Sequence, residues 1–127
     1  MGLRRAGQSV AIAAVKTRTI EPERWQAYLN AQAVHVRTTR AEVHVLDPGR
    51  DRFAETWDAD VQSITYDASA NELRVSGDGF VHIVAEPRSM QAMEGPAGEL
   101  RALEIVAEDG IRHVITLRVP LALAGGS

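Results

Sequence analysis

Cysteine is absent from this chain of 127 residues, and its absence excludes several kinds of chemistry. Without thiols the protein has no disulfide, no iron–sulfur cluster, no thiolate zinc site and no cysteine nucleophile. Small secreted domains are usually rich in disulfides. The lack of cysteine therefore favours a cytoplasmic protein.

Long apolar runs are missing as well. The apolar stretch VAIAAV near the start is six residues long and is followed directly by Lys16. A membrane-spanning helix needs about 20 apolar residues, and the apolar core of a signal peptide needs about 7–15. We therefore expect neither a signal peptide nor a membrane partner.

Aromatic residues number six and are too scattered to form a platform on which nucleic-acid bases stack. The sequence also lacks the G-x-S-x-G, P-loop and H-E-x-x-H motifs of hydrolases, nucleotide-binding enzymes and metalloproteases. These absences predict no bound cofactor. They favour a non-enzymatic role over an enzyme.

Charge is distributed unevenly along the chain. Residues 1–40 hold seven basic and two acidic side chains, whereas residues 41–127 hold seven basic and fifteen acidic ones. The acidic majority disfavours nucleic-acid binding, because phosphate contacts need clustered basic side chains. The basic part could bind an anionic partner through side chains that include Arg4, Arg5 and Arg18. We prefer the interpretation that it neutralises the chain's own acidic face.

Residues 21–36 have the spacing of a helix. Pro22 suits a first helical turn, where its missing N–H costs nothing. From Trp25 and Tyr28 onward, apolar side chains recur at intervals of three and four residues. One apolar face with two aromatic rings predicts a helix that packs on another layer of structure.

From residue 41 onward, apolar residues alternate with polar ones, which is the period of a half-buried strand. An Asp-Gly pair at residues 109–110 marks a tight hairpin. Only residues 86–99 form a long connection, and short connections require antiparallel neighbours. We predict an α+β fold in which one N-terminal helix packs on a curled, mostly antiparallel β-meander of six to seven strands.

The chain is predicted to form one domain. That domain spans residues 17–123 and follows a basic segment, residues 1–16, that is either a flexible lead-in or an edge strand. Residues 124–127 are predicted to be a disordered tail. A length of 127 residues is close to the commonest domain size, so no second core is expected.

Several segments resemble a family of small bacterial proteins of unknown function. They are TRTIEPERWQAYL at residues 17–29, SITYDASANELRV at 63–75, DGFVHIVAEPRSM at 78–90 and the ending LRALEIVAEDGIRHVITLRVPLAL at 100–123. The resemblance covers nearly the whole chain. It implies no activity, cofactor or catalytic residue that can be assigned to a position here.

Two histidines are the strongest candidates for chemistry. His82 and His113 each alternate with apolar residues on a predicted strand. If those strands pair, the two rings approach each other, and Asp78 or Glu104 could complete a metal site or an acid–base site. The spacing matches no known metal motif, so we favour histidines that are half-buried and hydrogen-bonded within the fold.

The remaining candidates have structural interpretations too. Tyr66 is expected to bury its ring and keep its hydroxyl at the rim, and Asp67 is expected to cap backbone amides in the following turn. Trp25 and Trp57 are expected to anchor helix to sheet, with an interface hot spot as the alternative.

Three functions follow from these patterns. The first is a non-enzymatic interaction module that binds a protein partner or a second copy of itself through exposed edge strands. The second is a small-ligand or metal-assisted enzyme that uses His82, His113 and Asp78. The third is a binder of anions or nucleic acid that uses the basic N-terminal residues, including Lys16. We favour the first.

Overall fold

The computed structural model describes the backbone of residues 16–37, 39–47, 49 and 52–118, with the side chains of this part except those at 52–57 and 59. The predicted lead-in, apart from Lys16, and the predicted tail lie outside the described residues. In the described part, no helix is long and apolar enough to cross a membrane.

Eight strands account for most of the described chain. They are β1 (Lys16–Ile20), β2 (Thr39–Asp47), β3 (Arg52–Asp67), β4 (Glu72–Gly77), β5 (Phe80–Ala85), β6 (Pro87–Glu94), β7 (Leu100–Ala107) and β8 (Arg112–Arg118). Every neighbouring pair is antiparallel. The predicted α+β class, with a helical segment on a mostly antiparallel sheet, is confirmed.

Two strands lie outside the predicted alternating segments: β1 precedes the helix, and β6 falls in the predicted long connection. This segment begins with a proline, and its later residues Met, Gln, Ala, Met and Glu are not typical strand formers. Pairing with β1 on one side and β7 on the other gives it its strand structure. Tertiary contacts thus outweigh its local preference.

The strand order is β1-β6-β7-β8-β2-β3-β4-β5, so the sheet consists of two meanders. One contains β2 to β5 and the other β6 to β8, and they join where β8 pairs with β2. The first strand, β1, is added outside β6. The predicted meander is therefore divided, and within the described residues the two edge strands are β1 and β5.

The sheet curls where the chain continues from one part of it to another, within β3 and between β5 and β6. In β3, residues up to Val61 pair with β2, and the residues that follow pair with β4. Strand β5 passes into β6 through one residue, Glu86, whose φ of 52° turns the chain sharply. The Glu86 backbone is held by hydrogen bonds to Asn71 and Glu108, each 2.9 Å long. Strands that bend in this way carry the chain from one part of a sheet to another.

The helical segment consists of a 3₁₀ turn (Pro22–Arg24), α1 (Trp25–Ala31) and α2 (Ala33–Val36). The single helix predicted for residues 21–36 is thus interrupted at Gln32, where ψ is 0°. Its buried side chains are still those on the predicted apolar face, including Trp25, Leu29 and Val36. Periodicity identified the face that packs, and the interruption falls at Gln32, whose side chain bonds to the backbone of Gly98 and Leu100.

Among the described side chains, Trp25 is the largest that is fully buried, with 2% of its surface exposed. Its indole N–H donates to the backbone oxygen of Ile20 at 2.7 Å. Its ring meets the Tyr66 ring edge-on, with centroids 5.2 Å apart. The side chain therefore joins the helix, the end of β1 and β3 around one apolar core.

The predicted turns occur where the sequence indicated. Gly110 has a φ of 86° between β7 and β8, as the Asp-Gly pair predicted. The Asp67 carboxylate accepts hydrogen bonds from the backbone of Ser69 at 3.0 Å and of Ala70 at 3.3 Å. Its hydrogen bond with the Ser69 hydroxyl is the main cause that lowers the pKa of Asp67. These contacts confirm that Asp67 is a turn residue.

Candidate functional site

A groove lies between β1, the helical segment and the turn that follows β6. Its volume is about 560 Å³, which is within the usual range of small-molecule sites. The residues lining it include Arg18, Ile20, Arg24, Tyr28, Gln32 and Glu94. We refer to it as the helix groove.

Glu94 is the buried charge of the helix groove, with 6% of its surface exposed. It is the last residue of β6, and its carboxylate accepts a hydrogen bond from the Tyr28 hydroxyl. Arg18 Nη1 lies 3.2 Å from Glu94 Oε2 and 3.4 Å from Oε1. A buried carboxylate needs such partners, because losing water without compensation is costly.

The same cluster orients the other two side chains. The Arg18 guanidinium lies 5.7 Å from the centre of the Tyr28 ring, in position for a cation–π contact. Burial, and then the hydrogen bond to the Glu94 carboxylate, raise the pKa of the Tyr28 phenol well above its ordinary value. Tyr28 therefore remains a neutral donor at physiological pH.

Gln32 fixes the floor of the helix groove. Its amide nitrogen donates to the Gly98 carbonyl at 3.0 Å, and its amide oxygen accepts from the Leu100 backbone N–H at 3.0 Å. The nitrogen and the oxygen of the Gln32 side-chain amide thus both have hydrogen-bond partners at the point where the helix is interrupted. The helical segment is thus tied to the turn between β6 and β7 by a pair of directional bonds.

The two candidate histidines are brought together. His82 Nε2 lies 3.0 Å from His113 Nδ1, and the ring centroids are 5.1 Å apart. Strands β5 and β8 are not neighbours in the sheet, so the rings approach because β5 folds over and not because the strands pair. At this distance one nitrogen donates and the other accepts, and full protonation of both rings would oppose two N–H groups.

The proposed third ligands are placed differently. Asp78 is an exposed residue of the turn between β4 and β5. Glu104 pairs across the sheet with Val114, while His113 pairs with Ile105, so Glu104 and His113 lie on opposite faces. Glu104 forms an ion pair with Arg112 at 3.1 Å. Within the described ranges, no three His, Asp or Glu side chains gather so that they could hold a metal.

The burial of His113 leads to a prediction about how the stability of the fold changes with pH. Burial lowers the pKa of His113, with the Asp109 carboxylate acting in the opposite direction. The unfolded chain therefore takes up this proton near pH 6.5, before the folded chain does. We expect the free energy of unfolding to fall as the pH is lowered from about 7 through the lower folded pKa. Urea unfolding at a series of pH values measures this slope.

The control for this prediction is a pair of variants. His113→Gln should flatten the slope below pH 7, because glutamine keeps a hydrogen-bonding group that does not titrate. His35→Gln removes an exposed histidine at the end of α2 and should leave the slope unchanged. An equal slope in His113→Gln and the unaltered protein would show that His113 is not the cause.

The two edge strands differ in character. On β1 the residues Lys16, Thr17, Arg18 and Thr19 are all exposed, and charged edges of this kind resist pairing with other chains. On β5 the exposed residues include Val81, with 57% of its surface accessible, and Ile83, with 45%. Strand β5 has no lysine, arginine or carboxylate. In the described part of the chain it pairs with β4 alone.

The residues predicted to bind a partner lie in different parts of the chain. Arg4 and Arg5 lie outside the described residues. Trp25 is in the core, where a residue that anchors the helix to the sheet is expected to lie. Trp57 is on β3 opposite Val43, and its side chain is outside the described part.

Two of the basic residues have acidic partners. Arg18 binds Glu94, and Arg40 binds Asp58 at 3.1 Å. Arg40 also reaches Asp60 at 3.3 Å. This pairing agrees with the preferred interpretation, in which the basic N-terminal part neutralises the chain's own acidic residues.

Sequence reasoning missed the buried acid of the helix groove. Glu94 falls in the segment predicted to be a connection, and a single glutamate there carries no sign of burial. The alternation of Met90, Ala92 and Glu94 on the inward side of β6 was the available signal. This alternation did not predict a buried Glu94, because an acidic residue usually ends an apolar pattern.

Comparison with known proteins identifies a family and no closer relative. No curated protein and no solved structure matches the chain significantly. The model of DUF5335, described as a family of unknown function, matches residues 16–125. This range includes β1 and the helix groove and begins where the predicted lead-in ends. The chain belongs to this family of unknown function.

Proposed function

We propose that this protein is a non-enzymatic interaction module that pairs with a second copy of itself through β5. The observation that carries the proposal is the uncharged edge strand with Val81 and Ile83 exposed on its outer face. An exposed strand edge presents unpaired N–H and C=O groups, and another strand satisfies them by extending the sheet.

The sequence of β5 suits pairing of two identical strands. It reads FVHIVA, with apolar residues at Val81 and Ile83 on either side of His82. A two-fold axis at His82 would place Val81 of one protomer opposite Ile83 of the other. Directly opposed residues of antiparallel strands share a face, so both apolar side chains would be covered at once. A closed dimer of this kind uses one patch twice.

The outer face beside β5 supports the same geometry. Ile83 lies opposite Arg74 of β4, and Val81 lies opposite Ser76. Arg74 forms an ion pair with Glu72 at 3.5 Å, so its charge is balanced within its own strand. The apolar residues are therefore bordered by polar ones, as in the rim of an interface.

An enzyme built on His82, His113 and Asp78 is the weaker candidate. The two rings satisfy each other by a hydrogen bond, and Asp78 is exposed in a turn. The helix groove, which contains the buried Glu94, is lined by residues other than these three. A nucleic-acid function of the N-terminal residues has less support still, since Arg18 binds Glu94.

The test is the oligomeric state of the full chain. Sedimentation velocity at concentrations up to about 1 mM should show a monomer–dimer equilibrium. Ile83→Lys should weaken dimerisation more than about tenfold, because it replaces the apolar contact between Ile83 and the partner's Val81 with a charge in each half of the pairing.

Val34→Lys is the matched control. Among the described side chains Val34 is the most exposed large apolar one, with 70% of its surface accessible, and it lies on α2 and not on β5. The same charge introduced there should leave the dimer intact. A protein that stays monomeric throughout the range, or a dimer that both variants weaken equally, would contradict pairing through β5.

A further inference from the structure

The helix groove has the composition of a binding site for a small polar molecule. It combines a volume of about 560 Å³ with a buried carboxylate, a neutral phenol and two arginines. Groups of this kind are costly to bury in a surface that only packs, and they are usual where a ligand is oriented. The groove is separate from β5, and its lining includes no residue of that strand.

Arg18 is held in place and still has guanidinium N–H groups that can donate to a ligand. In the part of the chain that the structure describes, its side-chain hydrogen bonds run only from Nη1 to the Glu94 carboxylate, while the guanidinium lies over the Tyr28 ring. A guanidinium has five N–H donors, so Nε and Nη2 remain for a second acceptor. Because Glu94 and Tyr28 already fix its position, Arg18 loses little freedom when a ligand binds.

Arg24 supplies a second positive charge to the same groove. It is the last residue of the 3₁₀ turn and is exposed, and within the described ranges its side chain makes no hydrogen bond or ion pair. An arginine of this kind can bind a carboxylate through two parallel N–H groups. Both arginines line the groove and can offer donors to a ligand there.

The acidic residues of the groove limit how much charge a ligand can carry. Arg18 and Arg24 are balanced by Glu21 and Glu94, so the four charges sum to zero. A ligand with one negative charge can meet the unpaired Arg24 and the free donors of Arg18. The second charge of a phosphate would lie close to Glu21 or Glu94, and like charges at that range repel.

We propose that the helix groove binds a small molecule that carries one carboxylate on a polar, hydrogen-bonding body. Arg24 and the free N–H groups of Arg18 bind the carboxylate. Glu94 and Tyr28 act as positioning residues, because they hold Arg18 and leave its outer donors open. Gln32 maintains the floor against which the body of the ligand lies.

N-acetylglutamine is a suitable probe, because it has one carboxylate and several amide groups. Its neutral amide, N-acetylglutaminamide, has nearly the same shape without the charge, and inorganic phosphate tests the anion class. Binding to the full chain is followed by NMR through the side-chain Nε–H signals of arginine. N-acetylglutamine should give saturable shifts at Arg18 and Arg24 with a Kd below about 10 mM. The amide and phosphate should not.

Two variants separate the groove from general attraction to positive charge. Arg24→Gln should weaken binding of N-acetylglutamine about tenfold or more, because it removes a charge-assisted pair. Arg88→Gln removes an exposed arginine of β6 that does not line the groove, and it should bind like the unaltered protein. Both substitutions are at the surface, so folding is expected to be retained.

Three results would overturn the proposal. Phosphate binding as tightly as N-acetylglutamine would show that the groove selects charge and not a carboxylate. Equal weakening by Arg24→Gln and Arg88→Gln would place the attraction outside the groove. A folded protein whose Arg18 and Arg24 signals do not saturate below about 10 mM would show that the groove is no carboxylate site.

Discussion

Trp25→Ala is expected to lower the free energy of unfolding by about 4 kcal/mol, because it opens a large cavity in the core. Trp25 has 2% of its surface exposed and packs edge-on against Tyr66. It also donates a hydrogen bond to the Ile20 carbonyl, which would lose its partner. Natural domains are stable by only about 5–15 kcal/mol. The loss is thus a large part of the total, and urea unfolding followed by circular dichroism measures it.

Two further variants show whether the cavity is the cause. Trp25→Phe keeps an aromatic ring and loses the indole N–H, so we expect a smaller loss, about 2 kcal/mol. Gln26→Ala changes an exposed residue of α1 and should alter stability by less than about 0.5 kcal/mol. If Trp25→Ala costs no more than Gln26→Ala, the helical segment does not anchor the core as described.

Glu94→Ala is expected to have the second largest effect, a loss of about 3 kcal/mol in the free energy of unfolding. The substitution leaves the Tyr28 hydroxyl without its acceptor and Arg18 without its ion pair. Arg18 is half-exposed and can turn to water. For this reason most of the loss comes from the desolvated Tyr28–Glu94 contact, since exposed ion pairs contribute little.

A double-mutant cycle isolates that contact. Tyr28→Phe combined with Glu94→Gln should give a coupling energy of about 1–2 kcal/mol, because the hydroxyl donates to a charged acceptor. Glu72→Ala, which breaks the surface ion pair with Arg74, should cost less than about 1 kcal/mol. A cycle with no coupling would mean that Tyr28 and Glu94 do not bind each other in solution.

The stability and binding experiments support each other. If Glu94 positions Arg18, Glu94→Gln should weaken N-acetylglutamine binding even though glutamine does not repel the probe's carboxylate. Simple removal of a negative charge would strengthen binding of an anion. The direction of the change therefore separates a positioning role from general electrostatics.

Local pattern was sufficient to predict the fold class. The alternation in β2, β4, β7 and β8 specified strands whose buried faces the structure reproduces. The Asp-Gly pair specified the hairpin between β7 and β8. These predictions succeeded because side-chain period and turn chemistry act between residues close in sequence.

The sites depend on contacts between residues that are far apart in the sequence. Arg18 and Glu94 are 76 positions apart, and Tyr28 and Glu94 are 66 apart. Arg18 and Glu94 meet because β1 pairs with β6, a neighbour relation that neither segment indicates alone, and Tyr28 reaches Glu94 from α1. His82 and His113, 31 positions apart, meet because the chain turns at Glu86 and β5 folds over the sheet.

The sequence by itself determined the α+β class, the apolar face of the helical segment, the tight turns and the lack of thiol chemistry. Those features depend on residue type and on spacings of a few positions. Tertiary structure alone decided the strand order, the conversion of residues 87–94 into a strand and the burial of Glu94. The reason is that a strand's neighbours are selected by how well whole faces pack, which no short segment encodes.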